Sequence, residues 1–237
     1  MARRSQRPGP KRSSLAGWVL RLLLGSYLAA AALALLFSGP LRHLLQAPPV
    51  EGLNARLSTD GRLLAHFPYP EVPESQLVAV MPGIRLRQEA GTALLTMQRA
   101  AAAEGIELAV LSGHRSVALQ KQLFFEVKSE RNQTSSERAR VSAPPGFSEH
   151  STGYAVDLGD ATRPHTHLSA AFDTTPAFGW LKQNAPRYHF ELSFPRGNAQ
   201  GVSYEPWHWR YEGSTEALRL FEPAQRLVAG STPRPRP

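Results

Sequence analysis

The sequence predicts an α+β fold preceded by one membrane-spanning helix. Three observations carry that expectation: a long apolar run near the N-terminus, helix-length amphipathic segments mixed with short β-rich ones, and no regular strand–helix–strand rhythm. With 237 residues and 42% hydrophobic side chains the chain can bury a sizeable core, and no internal repeat is visible. There is no cysteine, so disulfides, thiolate metal sites and a cysteine nucleophile are excluded. Any metal must be held by His, Asp and Glu.

The net charge of +8 resembles a nucleic-acid signal until it is located. Residues 1–21 hold Arg3, Arg4, Arg7, Lys11, Arg12 and Arg21 with no acid, and Arg234 and Arg236 close the chain. Between them, residues 22–230 carry 19 bases against 19 acids. The excess sits in the tails, so no nucleic-acid partner is expected.

Residues 1–14 read as a basic cytoplasmic tail and 15–37, LAGWVLRLLLGSYLAAAALALLF, as a transmembrane anchor or uncleaved signal. At ~1.5 Å per residue this run crosses a ~30 Å hydrocarbon core, and Arg21 near its start snorkels to the head groups. The basic residues before it stay cytoplasmic by the positive-inside rule, placing the bulk of the chain outside a cytoplasmic membrane. A cleaved signal peptide is the alternative, but its apolar core is usually ~7–15 residues. Residues 38–80, punctuated by proline, read as a linker with local order in which Leu63–Phe67 makes a short strand.

Helices are expected over 87–104, ending at Gly105, and over 116–128, with strands at 106–111 and 155–158. A short helix at 180–185, strands at 189–194 and 204–211, and a closing helix at 215–227 follow. Residues 231–237 read as a disordered tail.

Of the eight histidines, His43, His66, His165 and His167 read as solvated, and His114 and His189 as strand-end residues. His150 and Asp157 stand seven apart with Gly153 between them, which allows a turn to bring imidazole back to carboxylate. His208 would complete a His/Asp/His set with an open fourth position, the pattern of catalytic zinc. Glu205, three residues before His208, is placed to act as a general base. An ordinary hydrogen-bonded histidine beside a surface carboxylate gives the same spacing.

Three blocks narrow the choice: SGHRSxxxQxxLF starting at Ser112, SEHSTGYAVD at 148–157 and EPWHWRY at 205–211, with WLxxNAxxYxFxLSFP at 180–195 between the last two. In order and spacing they resemble the VanY-type D-alanyl-D-alanine carboxypeptidases, zinc peptidases of the hedgehog-like metallopeptidase fold. The likeness covers roughly 80–230, so 81–230 is expected to be a zinc carboxypeptidase domain, a small antiparallel sheet flanked by helices with Zn2+ in a cleft on the sheet. It implies His150, Asp157 and His208 as zinc ligands, Glu205 as base, and Arg115 as the cation that meets substrate oxygens. Gln120 and Ser148 match substrate-contacting positions. Two departures, His114 where the family has Tyr and His189 where it has Gly, would line the cleft. The implied substrate is a peptidoglycan stem peptide ending in D-Ala-D-Ala. L,D-carboxypeptidase or endopeptidase activity is the alternative from the same chemistry, and a non-catalytic peptidoglycan-binding module the alternative from another class.

Overall fold

The computed structural model describes residues 15–37 and 49–231. Helix α1 (Leu15–Phe37) belongs to one unit, and all described residues from 49 onward belong to a second, compact one. On the described part of α1, Trp18, Leu22, Leu23, Leu24, Tyr27 and Leu28 are exposed. Counting described residues alone, no helix is long and apolar enough to cross a membrane. The expected cytoplasmic tail at 1–14 and terminal tail at 232–237 lie outside the described residues.

The compact unit mixes helices with two antiparallel sheets. Strands β1 (Leu77–Met81) and β2 (Ile84–Arg87) form a hairpin. Strands β3 (Leu108–Ser112), β4 (Ala155–Asp160), β5 (Phe190–Leu192) and β6 (His208–Tyr211) form a four-stranded sheet in the order β3-β4-β6-β5, antiparallel throughout. Helices α2 (Gln88–Ala103), α3 (Val117–Glu130), α4 (Ser135–Ala139), α5 (Pro176–Asn184) and α6 (Thr215–Ser231) complete it. Most of these follow the expected elements within a few residues. The hairpin β1–β2 and helix α4 do not appear in the sequence reading; α4 has only five residues, too short for helical periodicity to register.

Side-chain alternation along β4 explains the sheet's two faces. All six residues of β4 are buried. Val156 and Leu158 enter the main core with Ala90, Leu94 and Met97 of α2 and Leu181 of α5. Asp157, between them, points to the other face, which is also covered. A strand buried on both faces cannot carry a charge unless partners meet it there.

The stretch expected as a linker is part of this unit. Leu53 and Leu63 form a second core with Phe124 of α3, Phe147 and Ala139. Phe67, Tyr69 and Val72 are buried as well. Prolines set the chain direction there without making it loose, because apolar residues between them are spaced to land on α3. Leu63 makes isolated bridges to Leu57 and His66 in place of a strand.

His66 is accordingly not solvated. It is 4% exposed, and its Nε2 lies 2.7 Å from the carbonyl of Ala139. Of the other histidines taken as solvated, His167 is half-buried, with Nε2 2.9 Å from the carbonyl of Asp160. His189 sits at φ +62°, a left-handed position that glycine fills without cost, and its ring packs edge-on against Tyr211.

Burial lowers His66 to about 4 from an ordinary 6.5. The unfolded chain therefore takes the proton first, and the stability His66 contributes is complete above pH 6.5 and lost as pH falls toward 4. Between pH 7.5 and 4.5, wild type should lose about 2–3 kcal/mol more unfolding free energy than His66→Gln. Urea unfolding at the two pH values measures this; an unchanged difference would show that the imidazole charges there without penalty.

Candidate metal centre and active site

The three sequence blocks meet at one end of the four-stranded sheet. Asp157 of β4 is the cross-strand partner of His208 of β6 and of Ser112 of β3. Directly opposed residues of neighbouring strands share a face, so the register alone brings the second and third blocks together. His150 reaches them from a short 3-10 turn, Glu149–Thr152, that ends at Gly153 with φ +74°. That left-handed residue reverses the chain into β4 and returns the imidazole over Asp157, as the sequence spacing suggested.

His150 Nε2 lies 3.2 Å from Asp157 Oδ2, and His208 Nδ1 lies 3.2 Å from Asp157 Oδ1. Two ligand atoms on a tetrahedral zinc with ~2.0–2.1 Å bonds sit on the order of 3.3 Å apart. One donor atom from each of the three residues lies within 4.8 Å of the others, and all three residues are buried. The tautomers suit a cation. His150 Nδ1 is 2.8 Å from the Gly113 carbonyl, which only accepts, so Nδ1 carries the hydrogen and Nε2 presents its lone pair. His208 Nε2 is 3.0 Å from Glu149 Oε2, so its Nδ1 is likewise turned toward Asp157.

The charge balance points the same way. Asp157 Oδ1 is buried and receives no hydrogen bond despite the nearby imidazole. Burial opposes ionisation of Asp157, yet His150 and His208 outweigh it and hold the carboxyl far below its usual range. Burial would lower His208, but Asp157 and Glu149 raise it to about 10. The cluster demands positive charge at its centre. A divalent cation with nitrogen and oxygen ligands meets that demand, and His150, Asp157 and His208 fit zinc.

Glu205 and His208 occupy the two ends of one turn, closed by the His208 amide donating to the Glu205 carbonyl at 3.1 Å. The Glu205 carboxylate lies 3.9 Å from His208 Nδ1. Burial raises Glu205 to about 7, with Asp157 and Glu149 adding to the rise and His208 and Arg115 opposing it. A carboxylate in that range takes and returns a proton near neutral pH.

Arg115 lies between β3 and α3, just ahead of Ser116, whose hydroxyl caps α3 by accepting from the Leu119 amide. Its guanidinium donates to Gln120 Oε1 at 3.0 Å and to Ser112 Oγ at 3.3 Å, and lies 3.7 Å from Asp157. Together with the metal cluster, Glu205 and Ser148 it lines a cavity of about 430 Å3. Gln120 does not line it. This side chain is fully buried, its oxygen accepting from Arg115 and its amide donating to Ser142 Oγ and the Ala143 carbonyl, so it holds Arg115 in place. His114 and His189 are also absent from the cavity wall, contrary to the expectation for both.

Sequence reasoning missed Glu149. It is 3% exposed; its Oε2 accepts from Ser193 and faces His208, while its Oε1 accepts from Arg210 at 3.2 Å and from Tyr69 at 3.5 Å. Burial would raise this carboxyl, but Arg210, His208 and Ser193 together hold it at about 2. His208 and Arg210 are two apart on β6, so one carboxylate reaches both from the same face. That period-two spacing was readable in EPWHWRY.

The ligands and their supports should separate in zinc titrations. His150→Ala is expected to lose zinc, Glu205→Gln to keep one zinc per chain, and Glu149→Gln to weaken binding by ~10–100-fold, the scale for a lost partner of a ligating histidine. Metal content and competition with a chelator measure all three. Loss of zinc in Glu205→Gln would make Glu205 a ligand.

Residues 83–214 match the VanY family, described as D-alanyl-D-alanine carboxypeptidase. The YodJ protein of Bacillus subtilis is 39% identical over 135 residues, 56% of this chain and 48% of YodJ. The chain spans about half the length of the curated relatives it matches. Among solved structures, the LD-carboxypeptidase LdcB superposes with a TM-score of 0.58 at 29% identity, covering 78% of this chain and 93% of that one. The vancomycin-resistance D,D-pentapeptidase VanY in complex with Zn(II) superposes with a TM-score of 0.51 at 26% identity, covering 68% and 94%. With more than half of its length inside the matched region and the zinc-fitting cluster at its centre, this chain belongs to the VanY D-alanyl-D-alanine carboxypeptidase family.

Proposed function

We propose that this protein is a zinc-dependent D-alanyl-D-alanine carboxypeptidase that removes the terminal D-Ala from peptidoglycan stem peptides. The observation that carries the reading is the buried His150–Asp157–His208 cluster opening into a cavity that also presents Glu205 and Arg115. Zinc held by the three ligands would supply Lewis acidity, polarising the scissile carbonyl and acidifying the attacking water. Glu205 takes a proton from that water and delivers it to the departing D-Ala amine, a task matched by its rise to about 7. Arg115 steadies the negative oxygen at the reacting end through a guanidinium already fixed by Gln120 and Ser112. Retention of Glu205 beside the ligands argues against a binding module without turnover.

L,D-carboxypeptidase action is the second reading, favoured by the likeness to LdcB. Both are resolved by one measurement. Zinc-loaded full-length protein incubated with pentapeptide and tetrapeptide muropeptides should convert pentapeptide to tetrapeptide by mass spectrometry, and Glu205→Gln should slow this by ~10²-fold or more while retaining zinc. Conversion of tetrapeptide to tripeptide instead would establish the L,D reading, and cleavage within cross-links would establish an endopeptidase.

We further propose that residues 15–37 anchor the protein in the cytoplasmic membrane with the catalytic unit outside. Support comes from the 23-residue helical length with Arg21 its one charge, and from the exposed apolar side chains among the described residues of α1. A C-terminal reporter that functions only outside the cytoplasm should be active on the full chain, and activity of a strictly cytoplasmic reporter at that position would refute the orientation.

A further inference from the structure

The cavity that holds the metal cluster is also lined by three arginines, Arg115, Arg131 and Arg138. Arg115 belongs to the reacting end, 3.7 Å from Asp157. Arg138, on α4, is different. It is 9% exposed, donates Nη2 to the Leu123 carbonyl at 3.3 Å, and has a buried Nε with no partner. Among the described residues, no carboxylate forms an ion pair with Arg138 or with the exposed Arg131. Glu137, next in sequence to Arg138, is engaged elsewhere: it closes the capping box of α4 with Thr134. The acids of the cavity itself, Glu149, Asp157 and Glu205, belong to the metal cluster.

A desolvated guanidinium with no counter-charge is unfavourable, and neighbouring cations make it more so. Burial, Arg131 and Arg115 all push the ionisation of Arg138 down. If Arg138 served only to tie α4 to the Leu123 carbonyl, a neutral donor would do so without that penalty. An anionic ligand beside the guanidinium where it lines the cavity removes the penalty.

We propose that Arg138 and Arg131 form a second anion subsite in the cavity, which takes a free carboxylate carried on the acyl side of the scissile bond. This rests on the carboxypeptidase reading. The leaving residue brings a single carboxylate, and Arg115 is the cation at the reacting end. With the leaving residue's carboxylate beside Arg115 at the reacting end, the second subsite takes one from the part of the peptide retained after cleavage, such as an acidic residue of the stem. A carboxylate meeting two guanidinium groups makes charge-assisted, fork-like hydrogen bonds that its amide cannot replace.

Two peptides ending in D-Ala-D-Ala test this, one with a free carboxylate on the acyl portion and one with that carboxylate amidated. Zinc-loaded full-length wild type should prefer the free acid by about tenfold or more in kcat/KM, mostly through KM. In Arg138→Gln and in Arg131→Gln the ratio should shrink toward one, while Arg138→Lys keeps part of it. Arg131 is exposed, so its variant reads the subsite even where Arg138→Gln fails to fold. A wild-type ratio of one, or a preference that both variants retain, would overturn the subsite. Calorimetric binding of the same two peptides provides a readout apart from turnover. If wild type cuts neither peptide, the carboxypeptidase reading fails on its own. Acid-selective binding lost in Arg131→Gln would then still support the subsite, and equal binding of acid and amide would overturn it.

Discussion

The buried carboxylate of Glu149 is the interaction on which the rest of the site depends. It sits at 3% exposure, where an unpaired charge would cost several kcal/mol, and it is stable only because four donors converge on it. Two of them, His208 and Arg210, come from β6, one from Ser193 just after β5, and one from Tyr69 in the stretch before β1. Glu149 itself lies on the turn that carries His150. One carboxylate thus fastens the His150 turn, the edge of the sheet and the N-terminal wrap to one another. By accepting from His208 Nε2 it also sets which nitrogen faces Asp157.

That arrangement accounts for what was legible in the sequence and what was not. The grouping of His150, Asp157 and His208 was legible partly from short-range facts, a turn at Gly153 and a strand expected over 204–211. It was legible partly, too, from the resemblance of the three blocks to a known family, since spacing alone left an ordinary hydrogen-bonded histidine open. Cross-strand register then needs only β4 and β6 to be neighbours, as they are. Glu149 was less visible because its partners are 44 to 80 residues away in the chain: the period-two spacing of His208 and Arg210 marks a shared face but not which carboxylate meets it. The partners of Gln120 were hidden for a related reason: the resemblance marks the position, but only the fold shows that it is enclosed and that its amide bonds to Arg115, Ser142 and Ala143. The N-terminal stretch 49–76 looked like a linker because proline density masks apolar spacing, although Leu53, Leu63 and Phe67 fit the surface of α3 and the sheet.

Electrostatics divides the cavity into two regimes. Around Asp157 three buried carboxylates crowd together, an arrangement that suits a metal, and burial with Asp157 and Glu149 beside it keeps Glu205 as high as about 7. Arg115 stands at the boundary, close enough to Asp157 to be held by it, yet with a guanidinium face turned into the cavity. Around Arg138 the imbalance is reversed. Neither region is neutral without a ligand of the appropriate sign.

The two regimes are also built from different kinds of structure. Asp157 and His208 sit on the inner strands of the sheet, where hydrogen-bond ladders fix the backbone, and His150 and Arg115 on its immediate borders. Arg131 and Arg138 sit at the end of α3 and on the short helix α4, in a connection whose length the sheet does not constrain. Chemistry that requires fixed separations therefore belongs to the sheet, and recognition that varies from one substrate to another belongs to the connection. The motifs in the sequence report the first kind of constraint, because fixed separations demand fixed residue types at fixed spacing. Recognition is written in loop length and in the placement of long cationic side chains, which become readable only once the chain is folded around the cavity.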